Sequence, residues 1–401
     1  MLQFYEFFCG GGMARAGLGE AWRCVFANDL SPKKAAAYRA NYPDAPLTVG
    51  DVGALSVGDL PGRADLAWAS FPCQDLSVAG GGRGLRGARS GAFWPFQRLL
   101  GDLRDEGRAP RMVALENVTG LLTNRKGADF VAMVGALAEL DYRVGALVID
   151  AKLFLPQSRP RLFLLAAQRS EALDPALLGE GPEARWSPDA LLRAQAALPA
   201  STRGEWLWWR APGPSKRGPR LSDVVTDAPV GVRWHSPQET ERLLGLMNAT
   251  NRAKVTRARR ARRRIVGALY RRMRTEDGVR LQRAEVRFDE LAGCLRTPAG
   301  GSSRQTILVV HGDNVRSRLI DAREAAALMG LPRRYQLPAR YNEAYHLIGD
   351  GVAVDVVRHL SEHILRPALS AHAEADPTAA TLTEGSKTPP TRRRRRSPIA
   401  V

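Results

Sequence analysis

Hydrophobic positions along the first 168 residues fall in short runs, separated by segments in which apolar residues recur every three or four places. The runs at 3–8, 23–27, 65–69, 112–115, 143–149 and 161–167 predict strands, and the segments 14–20, 32–41, 93–104 and 129–140 predict helices. Such alternation makes βαβ units, which predict an α/β fold with a mostly parallel sheet covered by helices on both faces. Ligands of sheets of this kind lie beyond the carboxyl ends of the strands. From 169 to 289 the pattern weakens, with tryptophans at Trp186, Trp206, Trp208, Trp209 and Trp234 and a basic run over 252–274, so a separate small domain is expected there. The pattern resumes at 290–294 and 306–310, with helices at 322–329 and 352–364, and the segment 290–366 is expected to complete the large domain. Residues 367–401 are rich in Ala, Thr, Pro and Ser and carry arginines at 392–396, which reads as a disordered basic tail.

Composition narrows the class of function. A chain of 401 residues, 44% hydrophobic, is ample for one large core and a smaller one. Its formal net charge of +18 points to a polyanionic partner, because phosphates neutralised by Lys and Arg release counterions. Solubility or a membrane surface would use the same charge, so composition alone leaves those open. No run of about 18 uninterrupted apolar residues is present, which argues against a membrane span. The segment 1–6 has no basic residue ahead of its apolar run and does not read as a secretory signal. Cys9, Cys24, Cys73 and Cys294 lack paired metal-ligand spacing and are too few for a disulfide scaffold, which suits a reducing cytoplasm and no metal.

Candidate chemistry lies at the strand ends. Phe71-Pro72-Cys73-Gln74 puts a thiol where the third run gives way to a glycine- and arginine-rich stretch at 80–91. A single cysteine is more often a small buried hydrophobe than a nucleophile, so its surroundings decide. The fourth run ends in Glu116-Asn117-Val118, a carboxylate at a second strand end. The first run enters Cys9-Gly10-Gly11-Gly12, where missing side chains let a cofactor approach the backbone. Asp29 ends the second run about twenty residues on, where a carboxylate can accept ribose hydroxyls. A tight turn with a surface aspartate, or an NAD site, would look the same.

In order, the chain carries Phe7-Phe8-Cys9-Gly10-Gly11-Gly12, Asn28-Asp29, Gly50-Asp51-Val52, Phe71-Pro72-Cys73-Gln74, Glu116-Asn117-Val118, Gln157-Ser158-Arg159-Pro160-Arg161 and Arg296-Thr297-Pro298. From about residue 3 to 365, this series resembles the DNA (cytosine-5) methyltransferases in content, order and spacing. The resemblance implies a Rossmann-like S-adenosylmethionine-dependent catalytic domain, with 169–289 as a smaller target-recognition domain. It implies S-adenosyl-L-methionine held by Phe8, Gly10, Gly12, Asp29, Asp51, Val52, Asp350 and Val352. Met13 departs from the family, which usually has glycine there, and Asp350 stands where asparagine is usual.

The activity implied is methyl transfer to carbon 5 of a flipped cytosine in a specific double-stranded DNA sequence, through a covalent Cys73 adduct. Glu116 would work at N3, Asn117 would brace the Cys73 loop, and Arg159 and Arg161, at alternate positions of one strand, would project to one face and reach the base or orient Glu116. Ser77, Arg83, Arg86, Arg89, Arg296 and Thr297 would contact DNA. The basic run carries charge on every helical face and is expected to grip phosphates. Implied partners are DNA, bound by a monomer, and a restriction endonuclease cutting the same site. The resemblance implies a cytoplasmic protein, prokaryotic or phage-encoded, associated with the nucleoid. A transfer-RNA cytosine methyltransferase would share every catalytic motif, and a silent DNA-binding regulator would share the architecture. The large middle region favours a duplex target over the first, and the intact cysteine and carboxylate motifs oppose the second.

Overall fold

In the computed structural model, which describes residues 1–72, 90–215, 218–276, 278–296 and 304–370, the early apolar runs form one seven-stranded sheet. Its strands are β1 (Leu2–Phe7), β2 (Trp22–Asp29), β3 (Leu47–Val49), β4 (Leu66–Ala69), β5 (Met112–Val118), β6 (Tyr142–Asp150) and β7 (Pro160–Gln168), in the order β3-β2-β1-β4-β5-β7-β6. Neighbours from β3 through β5 are parallel, and β7 runs antiparallel to both β5 and β6. β4 is apolar throughout, and β5 is apolar up to Leu115, because both faces of the sheet are covered there. Phe4, Leu66, Trp68, Met112 and Ala114 enter one layer, where α1 (Met13–Leu18), α2 (Pro32–Asn41) and the helix Val354–Leu360 pack. Tyr5, Phe7, Ala67, Val113 and Leu115 enter the other, against α3 (Phe93–Asp105) and α4 (Ala128–Ala138). Strand order reverses between β1 and β4, and their carboxyl ends therefore flank a crevice.

A second sheet joins β8 (Ile265–Glu276), β9 (Val279–Arg287), β10 (Thr306–His311) and β11 (Asn314–Leu319), all antiparallel, in the order β11-β10-β8-β9. Val255 and Ala258 of the helix Ala249–Arg260 pack on Leu269, Val286 and Leu308 to give it a core. Among the described residues no helix is long and apolar enough to cross a membrane.

Several expectations change. The tryptophans from Trp186 to Trp209, expected in the small domain, are strapped onto the large sheet: Leu207 N donates to Val144 O (3.0 Å), Val148 N to Trp186 O (2.8 Å) and Trp209 Nε1 to Leu165 O (3.0 Å). Trp234 instead bridges Arg318 of β11. Edge strand β6 offers backbone groups that Leu207 N and Trp186 O satisfy, and the buried Trp209 indole N–H finds its acceptor on β7. The run at 290–294 forms no strand beyond a bridge from Ala292 to Gln157. The run at 306–310 becomes β10, but pairs in the second sheet, because Gly312 (φ 58°) closes a turn that folds β11 back on it. The basic run divides into a helix through Arg260 and strand β8. The tail beyond residue 370 lies outside the described residues.

Candidate active site

The chain leaves β1 through Phe8 (φ 54°), Gly10 (φ 55°) and Gly12 (φ 75°), a left-handed stretch that turns it into α1. At Gly12 a Cβ would also stand 2.5 Å from the Tyr42 ring, so glycine is needed there twice over. A Cβ built at Gly10 or Gly50 meets nothing within 4 Å, which leaves the rim of the crevice open. Asp29, buried at the end of β2, accepts from Gly10 N and Ser31 N at 2.8 Å each, so one oxygen braces this loop and the other the turn into α2. Asp51 follows β3, the neighbour of β2, and caps Gly53 N at 2.8 Å, while Val52 is buried beside it.

Asp350 ends the helix Tyr341–Asp350 and meets Lys34 Nζ at 2.9 Å, which supplies a cation for the charge that departs from the family pattern. Val352, just beyond, is buried. Met13, the other departure, has a glycine opposite: a Cβ at Gly351 would strike its sulfur. Beneath the loop, fully buried Glu6 accepts from Tyr38 Oη (2.8 Å) and Arg15 N (3.2 Å). Burial pushes its carboxyl up to about 7 despite those hydrogen bonds.

Across the crevice, Asn117 Nδ2 donates to Phe71 O at 3.2 Å and ties the end of β5 to the end of β4. Glu116 Oε1 lies 3.1 Å from Arg161 Nε, both nearly buried. The two share a face because Glu116 opposes Phe163, two residues along β7 from Arg161. Arg159 does not join them on Glu116. It lies before β7, outside the pleat, and its buried guanidinium donates to Gly349 O (2.9 Å), Gly351 O (2.7 Å) and Leu295 O (3.3 Å).

Cys294, noted in the sequence only for its lack of metal spacing, lies 3.3 Å from Arg159 Nη1 and 3.8 Å from Arg161 Nη2. Burial pushes this thiol up, but Arg159, Arg161 and Arg296 together outweigh it and hold it below the ordinary thiol value. Its position two residues before Arg296-Thr297 was the available signal. Arg296 is exposed. Cys73, Ser77, Arg83, Arg86, Arg89 and Thr297 lie outside the described residues. No metal-binding cluster of His, Cys, Asp or Glu occurs among the described residues.

Comparison with known proteins matches residues 2–366 to the family model of C-5 cytosine-specific DNA methylases. The Type II methyltransferase M.BsuFI of Bacillus subtilis is 35% identical over 166 residues, 41% of this chain and 39% of that protein. The chain thus spans about two fifths of that relative's length, and 42 to 46% of three others at 31 to 34% identity. The Type II methyltransferase M.NlaX of Neisseria lactamica is similar end to end, 25% identical over 92% of this chain and 98% of its own. The Entamoeba histolytica methyltransferase EhMeth has a similar fold, with a TM-score of 0.59 at 14% identity over 93% of this chain and 99% of its own.

Proposed function

The chain belongs to the C-5 cytosine-specific DNA methylase family, and from that premise we propose that it methylates carbon 5 of a cytosine flipped out of a specific double-stranded DNA sequence, with Cys73 as nucleophile. Carbon 5 gains electron density only when carbon 6 takes on a nucleophile. The Cys73 thiolate adds to carbon 6, and the displaced electron pair moves through the ring toward N3, where Glu116 stabilises it. Carbon 5 then bonds the methyl group and loses its proton to a base, and the returning electron pair expels Cys73 as thiolate. S-adenosylmethionine, when bound, would supply an electrophilic methyl group, the methyl–sulfur bond breaking to leave the neutral thioether S-adenosylhomocysteine.

The observation that carries this reading is Glu116 held by Arg161 at 3.1 Å, at a strand end that Asn117 ties to the one leading into Pro72 and Cys73. With Oε1 on Arg161, Oε2 is left to face N3. Arg159 is a positioning residue that holds 294–295 against 349–351. The open rim at Gly10 and Gly50, flanked by Asp29 and Asp51, fits the cofactor: Phe8, Gly10 and Gly12 would take its methionine part, Asp29 its ribose and Asp51 its adenine amine, with Val52, Asp350 and Val352 around them. Ser77, Arg83, Arg86, Arg89, Arg296 and Thr297 contact the DNA, to which the chain binds as a monomer. A restriction endonuclease cutting the same sequence is the partner that this reading implies.

Expression in a host without its own methylation, followed by bisulfite sequencing, should reveal 5-methylcytosine in one sequence context. Cys73→Ser should abolish the mark while duplex binding stays measurable, and 5-fluorocytosine DNA should trap a covalent adduct with the intact chain. Normal turnover by Cys73→Ser, or methylation found only in RNA, would overturn the proposal.

A further inference from the structure

β8 and β9 outrun their sheet. β10 pairs with β8 only over 265–269, whereas β8 and β9 stay paired as far as Glu276 and Val279. Beyond Tyr270 they form a two-stranded ribbon, and its stretch from Arg271 to Glu276 extends about 20 Å at roughly 3.3 Å per residue. Residues at the root of β8 are buried and those from Arg271 on are largely exposed. The root stands at the candidate pocket: Tyr270 closes on Gly293, next to Cys294, which touches Arg161 and through it Glu116.

Tyr270 also defines which face of the ribbon turns toward that pocket. It shares this face with Arg272, Arg274 and Glu276, and with their cross-strand partners Glu285, Arg283, Leu281 and Val279. The Arg272 guanidinium lies 5.7 Å from the Tyr270 ring centre. Arg274 pairs with Glu285 at 2.5 Å, Arg272 reaches the same carboxylate at 3.6 Å, and Arg283 pairs with Glu276. The opposite face sets Arg271, Met273 and Thr275 across from Ala284, Gln282 and Arg280, with no carboxylate among these described residues.

We infer that this ribbon enters the major groove beside the target cytosine and reads G·C pairs with Arg272, Arg274 and Arg283, an inference that rests on the DNA-methylating function proposed above. The major groove admits a two-stranded ribbon. Guanine presents two acceptors there that match an arginine fork, and cytosine presents an amine that a carboxylate can accept. An Arg–Glu pair sets a donor fork beside an acceptor, which is the complement of one C·G pair. Exposed ion pairs add little stability, so folding does not account for this face, whereas holding the forks in place before binding does. A ribbon that only gripped phosphates would be weakened by its glutamates.

The test is methylation of a duplex library randomised around the target cytosine, read by bisulfite sequencing. It compares the intact chain with Arg272→Ala, Arg274→Ala, Arg274→Lys, Arg283→Ala and Glu285→Gln, and with Arg271→Ala and Arg280→Ala as controls on the other face. The intact chain should require G·C pairs at fixed positions. Each pocket-face arginine variant should relax one of them by roughly five- to a hundredfold, and lysine should not restore it, because it lacks the fork. Glu285→Gln should relax the preference while strengthening binding to unrelated duplex. The controls should keep the motif. A motif unchanged in all pocket-face variants, or a uniform loss across all sequences, would overturn the inference and leave the methylation itself standing. An intact chain that methylates no duplex would overturn both.

Discussion

Arg159 and Arg161 are two positions apart and both reach Cys294, yet only Arg161 meets Glu116. Alternate spacing puts two side chains on one face only inside a pleat, and β7 begins at Pro160. Arg161 therefore meets Glu116, and Arg159 meets carbonyls of a segment about 190 residues away, which no local pattern announces. Glu116 and Asn117 were legible because an apolar run that stops at two polar residues marks a strand end. Glu6 was not, since within β1 it looks like an ordinary surface position, yet it is fully buried. Its consequence is a pH effect. With the folded carboxyl raised to about 7 and the ordinary value at 4.5, the folded chain keeps a proton that the unfolded chain releases between those limits. Stability from this group is complete below about 4.5 and declines as pH rises toward 7, by on the order of 3 kcal/mol. Glu6→Gln should flatten that decline in melting experiments across the window. Parallel wild-type and variant curves would refute the assignment.

At the scale of elements, α2 has the bounds expected, Pro32–Asn41, because Ser31 caps it and Pro32 opens its first turn. β3 escaped notice: three residues, two of them exposed, carry no alternation. β8 was obscured for the opposite reason, as charge on both faces of its outer half hides the period of two. The closing contact of the second sheet was also silent in the sequence. Fully buried Arg318, on β11, forks onto Glu324 at 2.6 and 2.7 Å and donates to Thr226 O. Glu324→Ala should cost about 3–5 kcal/mol in denaturant unfolding, because it strands a buried guanidinium. An Arg318→Met, Glu324→Leu double variant should recover much of that loss. A single-variant cost under about 1 kcal/mol would show that the pair does not clamp the sheet.

At the scale of the molecule, the net charge of +18 anticipates a steep salt dependence. Duplex affinity should fall by on the order of a thousandfold between about 50 and 200 mM salt, as for other proteins that neutralise several phosphates. Arg259, Arg260 and Arg262 line a cavity of about 430 Å³ with the Gly312 turn, and replacing any of them by alanine should lower the log–log salt slope by about one. An unchanged slope would place the DNA elsewhere. The parallel sheet was legible because its strands are short, apolar and regularly spaced, whereas the path of the chain from 169 to 320 was not, since it depends on contacts between distant segments. Such contacts also close the first loop: Tyr335 Oη donates to Gly11 O, Trp22 Nε1 to Ser361 Oγ, and Met13 rests on Gly351. During synthesis at roughly 5–20 residues per second, the glycine loop leaves the ribosome some 15 to 70 seconds before its own wall. A nascent chain thus carries every strand of the large sheet well before the segments that wall its crevice.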